Sequence, residues 1–184
     1  TKPELVKKWS TDSVMSIPES VKYDSDDDVL YVANIQGNSN EKDGQGFISR
    51  VSPEGEVLDL KWVTGLDAPK GMGVYEGKLF VTNIDEIVEI DIAAGEVSNR
   101  YPLEGAKFAN DIDVNEAGAV FASDMRGNKI YRLKDGKVEV WLESGKLKSP
   151  NGLFAKKDNL LIGISGAVLR ADYNTGELEE FISN

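Results

Sequence analysis

Apolar and polar positions alternate in short runs along this chain, and the runs come in groups of four. The stretch from Pro69 to Tyr101 is the clearest. Gly71–Tyr75 reads as a short strand closed by Glu76-Gly77, where glycine supplies the positive φ of a tight hairpin. Lys78–Ile84 carries apolar side chains on both faces, the pattern of a strand between packed sheets. Ile87–Ile92 alternates Ile87, Glu89 and Asp91 with Val88, Ile90 and Ile92, which predicts one wet and one buried face. After the turn Ala93-Ala94-Gly95-Glu96, Val97–Tyr101 reads as a fourth, outer strand.

The same plan recurs. Ile17-Pro18-Glu19-Ser20, Ala68-Pro69-Lys70-Gly71, Phe108-Ala109-Asn110-Asp111 and Ser149-Pro150-Asn151-Gly152 each precede an apolar strand by about ten residues: Leu30–Ile35, Leu79–Ile84, Val120–Met125 and Leu160–Ser165. The anchors Glu19, Lys70, Asn110 and Asn151 lie 51, 40 and 41 residues apart. Turns rich in Gly, Pro, Asp and Asn close the third strand of the other units at Ser52-Pro53-Glu54-Gly55, Lys134-Asp135-Gly136 and Tyr173-Asn174-Thr175-Gly176. A period near 40 with four antiparallel strands per unit predicts an all-β protein, a β-propeller. Four blades are present: 17–67, 68–107, 108–148 and 149–184, in a single domain 1–184 with a lead-in over 1–16.

Glu4–Trp9 resembles the outer strand Val57–Trp62 and is expected to be one, without inner strands of its own. Since the fourth unit ends on its own outer strand, Glu177–Ile182, an incomplete propeller is expected, part of a five- or six-bladed parent. Open strand edges in such a piece favour self-association. Trp62, Trp141 and Phe181 fall at matching outer positions and are expected to pack blade against blade. The first unit is longer by Gln36–Gln45, a polar, Gly-rich loop that is either a lid or a tolerated insertion.

Composition narrows the chemistry. With no cysteine and no histidine, thiol and imidazole nucleophiles, bases and metal ligands are excluded within the chain. Any acid or base is Asp, Glu, Lys or Tyr, and any metal rests on oxygen. The net charge of −11 argues against nucleic acid as a partner. No apolar run is long enough for a membrane span, so no membrane partner is expected. No targeting segment is visible, and the start at Thr1 leans toward an exported or periplasmic mature form. Asp24-Ser25-Asp26-Asp27-Asp28 lacks the Gly and terminal Glu of a calcium loop and reads as a solvated hairpin turn.

In a propeller the equivalent positions of all blades meet at one axis, so Glu19, Lys70, Asn110 and Asn151 are expected at one mouth of the central channel. Three stretches resemble the gluconolactonase, regucalcin and luciferin-regenerating group of six-bladed propellers. They are Pro18-Glu19-Ser20-Val21 with Leu30–Ile35, Phe108-Ala109-Asn110-Asp111 with Phe121–Met125, and Pro150-Asn151-Gly152-Leu153. Pro69–Val74 with Lys78–Asn83 is similar, more loosely, to NHL repeats. The closer resemblance implies a divalent cation held by Glu19 and Asn151, calcium above magnesium, manganese or zinc. It also implies a substrate contact from Asn110 and hydrolysis of a sugar lactone or similar small ester. The family's third ligand and general base, an Asp on a fifth blade, has no counterpart before Asn184, and Asp111 is a poor substitute, so the catalytic residue stays unassigned. The alternative is a non-catalytic ligand- or protein-binding propeller whose mouth, with Lys70 and Lys107, holds an anionic ligand or peptide, Glu19 being structural.

Overall fold

The computed structural model describes residues 3–183, and among them the chain is strand, turn and loop without a helix. Sixteen strands form four antiparallel four-stranded sheets, each wound in sequence order. The first sheet holds β1 (Pro18–Asp24), β2 (Val29–Asn34), β3 (Gly46–Val51) and β4 (Val57–Leu66). The second holds β5 (Pro69–Tyr75), β6 (Lys78–Asn83), β7 (Glu86–Asp91) and β8 (Glu96–Pro102). The third is β9 (Ala109–Val114), β10 (Val120–Asp124), β11 (Lys129–Lys134) and β12 (Lys137–Glu143). The fourth is β13 (Leu153–Ala155), β14 (Asn159–Ile164), β15 (Ala167–Asp172) and β16 (Leu178–Ser183). The first strands of successive sheets touch one another, β1 to β5, β5 to β9 and β9 to β13, and so form the inner wall.

Period-2 alternation decides which face meets which neighbour. In the first blade, Tyr31, Ala33 and Ile48 face the second blade and pack on its Leu79, Val81 and Ile90. Phe80 and Ile87, one register step away, point into the next interface with Val120, Ala122 and Tyr131. Phe121 and Ile130 then meet Leu160, Ile162 and Leu169 of the fourth blade. A one-residue slip in any strand would turn its apolar set to the wrong side, so the three clusters fix register as well as stability.

Outer tryptophans complete two of the three layers. Trp62 lies 5.0 Å from the Tyr31 ring, and Trp141 4.9 Å from Phe121. Trp62 also covers Gly95 in the next blade's outer turn, where a Cβ would meet its Nε1 at 2.9 Å. Gly95 has φ of 68° as well, so the turn and the close approach both call for glycine. Leu142 lies 3.6 Å from the equivalent point at Gly176.

The expected strand Glu4–Trp9 is absent: residues 3–12 have no ladder partner. With no inner strands beside it, the segment has nothing to pair with. The sequence likeness to Val57–Trp62 is still expressed in packing. Trp9 lies over Gly55, where a Cβ would meet the indole at 2.5 Å, as Trp62 lies over Gly95. Its Nε1 donates to the Pro53 carbonyl at 2.8 Å.

In the first three blades a side chain at the end of the second strand ties down the loop leading into the inner strand. Asn34 Oδ1 accepts from Ser16 N, Asn83 Oδ1 from Asp67 N and Ala68 N, and the Asp124 carboxylate from Lys107 N and Phe108 N. All three side chains are buried. Asn83→Ala orphans one buried and one partly buried N–H group and is expected to cost about 2 kcal/mol, read as a lower urea midpoint.

Candidate functional site

The anchors are built alike. Glu19 lies in a register break between the pairs Pro18↔Asn34 and Ser20↔Ala33. Lys70 and Gly71 fall between Pro69↔Asn83 and Met72↔Val81. Asn110 and Asp111 fall between the pairs Asp124↔Ala109 and Ala122↔Ile112. Each is therefore an irregularity near the start of an inner strand, a device that takes a residue out of the ladder and re-aims it. Asn151 lies just before β13, its N–H donating to the Gly163 carbonyl at 2.9 Å. Hydroxyls of the preceding blade then fix the anchor carbonyls. Ser20 Oγ donates to Lys70 O, Thr82 Oγ1 to Asn110 O, and Ser123 Oγ to Asn151 O at 2.8 Å.

At this mouth the side chains differ sharply in environment. Lys70 is 1% exposed. Its ammonium donates to Ala68 O at 3.0 Å and Ser39 O at 3.3 Å and lies 4.5 Å from the centroid of the Phe108 ring. Arg126 lies over the same ring at 4.4 Å, and its Nη1 donates to Asn40 Oδ1 at 2.8 Å. Burial brings Lys70 down to about 8; Glu19 opposes that shift and Arg126 adds to it. Glu19 is exposed by area, yet burial of its carboxyl pushes it up, with Lys70 pulling it down and Asp111 pushing it further up. These mutual effects place Glu19, Lys70, Asp111 and Arg126 within electrostatic reach of one another.

Asp111 serves mainly as structure. One carboxylate oxygen accepts from Leu153 N of the fourth blade at 2.7 Å, while burial raises its pKa against that bond. Asp113 repeats the device on Ala155 N at 2.8 Å. Asn110 is buried at its bulge, whereas Asn151 is exposed, its amide nitrogen 3.9 Å from the Met125 sulfur. Lys107 is exposed, and its backbone N–H is held by Asp124. Sequence reading missed Arg126 and the aromatic role of Phe108. The signal available was positional: Arg126 follows the second strand of the blade whose anchor phrase begins with Phe108.

Glu19 and Asn151 would be the residues to hold a divalent cation. They bring at most three side-chain oxygens, against six to eight taken by calcium, and the Lys70 ammonium acts on Glu19. Among the described residues no group of three or more Asp or Glu side chains converges as a metal site. A cleft of about 580 Å³ lies elsewhere, lined by Lys146 and Lys148 from the end of the third blade and Ile164 and Glu180 of the fourth.

This architecture is that of a β-propeller protein. Two structures of virginiamycin B lyase from Staphylococcus aureus superpose on it. One, selenomethionine-substituted, has a TM-score of 0.68 at 18% identity, over 92% of this chain and 56% of the lyase. The other, a catalytically inactive variant with quinupristin, has a TM-score of 0.64 at 20% identity, over 89% and 55%. The extracellular domain of a two component system protein from B. thetaiotaomicron gives 0.65 at 18% identity, over 91% of this chain and 24% of that one. The chain thus spans a little over half the length of the lyases, and identities this low define the fold alone. No family model matches the sequence, and no curated protein matches it. No helix among the described residues is long and apolar enough to cross a membrane.

Proposed function

We propose that the propeller mouth binds a small anionic ligand, with Lys70 and Arg126 as the cations and Phe108 as an apolar floor. The observation that carries this reading is the pairing of a fully buried lysine and an arginine on one aromatic ring, with neither in an ion pair among the described residues. In a chain with 32 acidic against 21 basic residues, two cations whose hydrogen bonds go to neutral oxygens, with Glu19 acting on Lys70 only as a nearby charge, mark a preference for a ligand's charge. Asn110 and Asn151 would add neutral polar contacts at the rim.

The second reading, a metal-dependent hydrolase of a sugar lactone or related ester, rests on the resemblance of Glu19 and Asn151 to a known ligand pair and of Asn110 to its substrate contact. It needs a third acidic ligand and a base from outside this chain, as a six-bladed parent would supply.

Thermal unfolding separates the two. Gluconate or acetate at a hundred times its Kd should raise the melting temperature by roughly 5 °C, and Arg126→Gln should remove most of that shift. No shift with any small anion, together with a calcium-induced shift lost in Glu19→Gln, would move the assignment to the hydrolase.

A further inference from the structure

Only the first blade carries a long connection between its second and third strands. The segment Gln36–Gln45 is polar and mostly exposed, yet it is tied down across two other blades. Lys42 pairs with the Asp85 carboxylate of the second blade at 2.7 Å, and Gly44 N donates at 3.1 Å to Asp67 Oδ1 in the link between the first and second blades. Asn40 reaches Arg126 of the third blade, and Ser39 reaches the buried Lys70 ammonium. Adjacent residues of one loop thus supply an oxygen to each of the two mouth cations.

Those oxygens are neutral. A hydrogen bond from an ammonium or guanidinium to a charged oxygen is roughly twice as strong as one to a neutral acceptor. With Glu19 and Asp111 ionised beside Lys70 and Arg126 the cluster carries no net charge, which suits a monoanion better than a dianion. The tethers at Lys42 and Asn40 are exposed, the kind of contact that contributes little and opens readily.

We propose that Gln36–Gln45 is a displaceable lid and that the ligand is a carboxylate, which takes over the hydrogen bonds now made by Lys70 to the Ser39 carbonyl and by Arg126 to the Asn40 amide oxygen. This rests on the anion-binding reading of the mouth and adds the ligand class and its gate. Binding competes with lid closure, so the apparent affinity is the intrinsic affinity multiplied by the fraction of molecules that are open. A lid that hid the lysine without contributing oxygens would not compete in this way.

The test uses gluconate as the carboxylate, inorganic phosphate as the comparison anion, and the double variant Asn40→Gly/Asp85→Asn, which removes two lid tethers and leaves Lys70, Arg126 and Phe108 in place. Gluconate should bind the variant about 5–10-fold more tightly than the wild type, and more tightly than phosphate. In the wild type it should speed tryptic cleavage after Lys42. Equal gluconate affinity in both proteins with an unchanged or slower cleavage rate would overturn the lid while leaving the anion site standing. Tighter binding of phosphate would overturn the carboxylate assignment. No binding of either anion to either protein would overturn the mouth reading and the lid with it.

Discussion

Gly71→Ala is expected to destabilise the protein by about 3 kcal/mol, although it adds a single methyl group. Gly71 lies on β5 where the inner strands of the second and third blades converge. A Cβ there would meet Asp111 Oδ1 at 2.5 Å, Asp111 Cα at 2.6 Å and Ile112 N at 2.7 Å. Two of these three atoms are backbone, so no rotamer change relieves the contact. Moving β9 away would also pull the Asp111 carboxylate from Leu153 N and loosen the joint with the fourth blade. Gly163→Ala serves as the control, because its nearest neighbour, the Gly152 carbonyl, would lie 3.4 Å from the new Cβ. Urea unfolding of the two variants should differ by at least 2 kcal/mol. Equal midpoints would mean that the inner strands are not packed at this distance.

Lys70→Met should change how stability depends on pH. The Lys70 pKa is about 8 in the folded chain against 10.5 for the free side chain. Between those values the unfolded chain holds a proton that the folded one has released, so stability rises with pH across that window and is flat below it. The full rise is about 3 kcal/mol, taking 1.36 kcal/mol for each pH unit. Tyr31, Tyr101 and Tyr173, each held up at about 12, work in the opposite sense above pH 10, but they do so in both proteins. The wild type should therefore gain on Lys70→Met between pH 8 and 10, monitored by urea midpoints at constant salt. A constant difference would show that the Lys70 amine is solvated.

The blades were legible because their information is local and repeated. Alternation within Lys78–Ile84 and Ile87–Ile92, Gly at the hairpin turns, and a period near 40 each constrain a short stretch of backbone, and together they leave little choice of architecture. The strand at Glu4–Trp9 failed for the complementary reason. A strand needs a partner, and local pattern carries no information on whether one is present. What survived there was the packing of Trp9 on Gly55, which depends on a side chain and a turn rather than on a ladder.

At the mouth, periodicity located the anchors but not their conformation. Register breaks at Glu19, Lys70-Gly71 and Asn110-Asp111 leave no signature in an apolar pattern. Asp111 looked like spare carboxylate chemistry, yet it braces the third blade against the fourth. The cation pair was hidden because Lys70 and Arg126 lie on different blades and meet only on the Phe108 ring.

Calorimetric titration of gluconate into the wild type and Lys70→Met at pH 7 tests the central claim most directly. The anion-binding reading predicts a saturable heat for the wild type and at least a tenfold weaker affinity for the variant, which has lost a charged hydrogen bond to the ligand. Equal binding by both proteins would place the ligand away from Lys70 and contradict the claim.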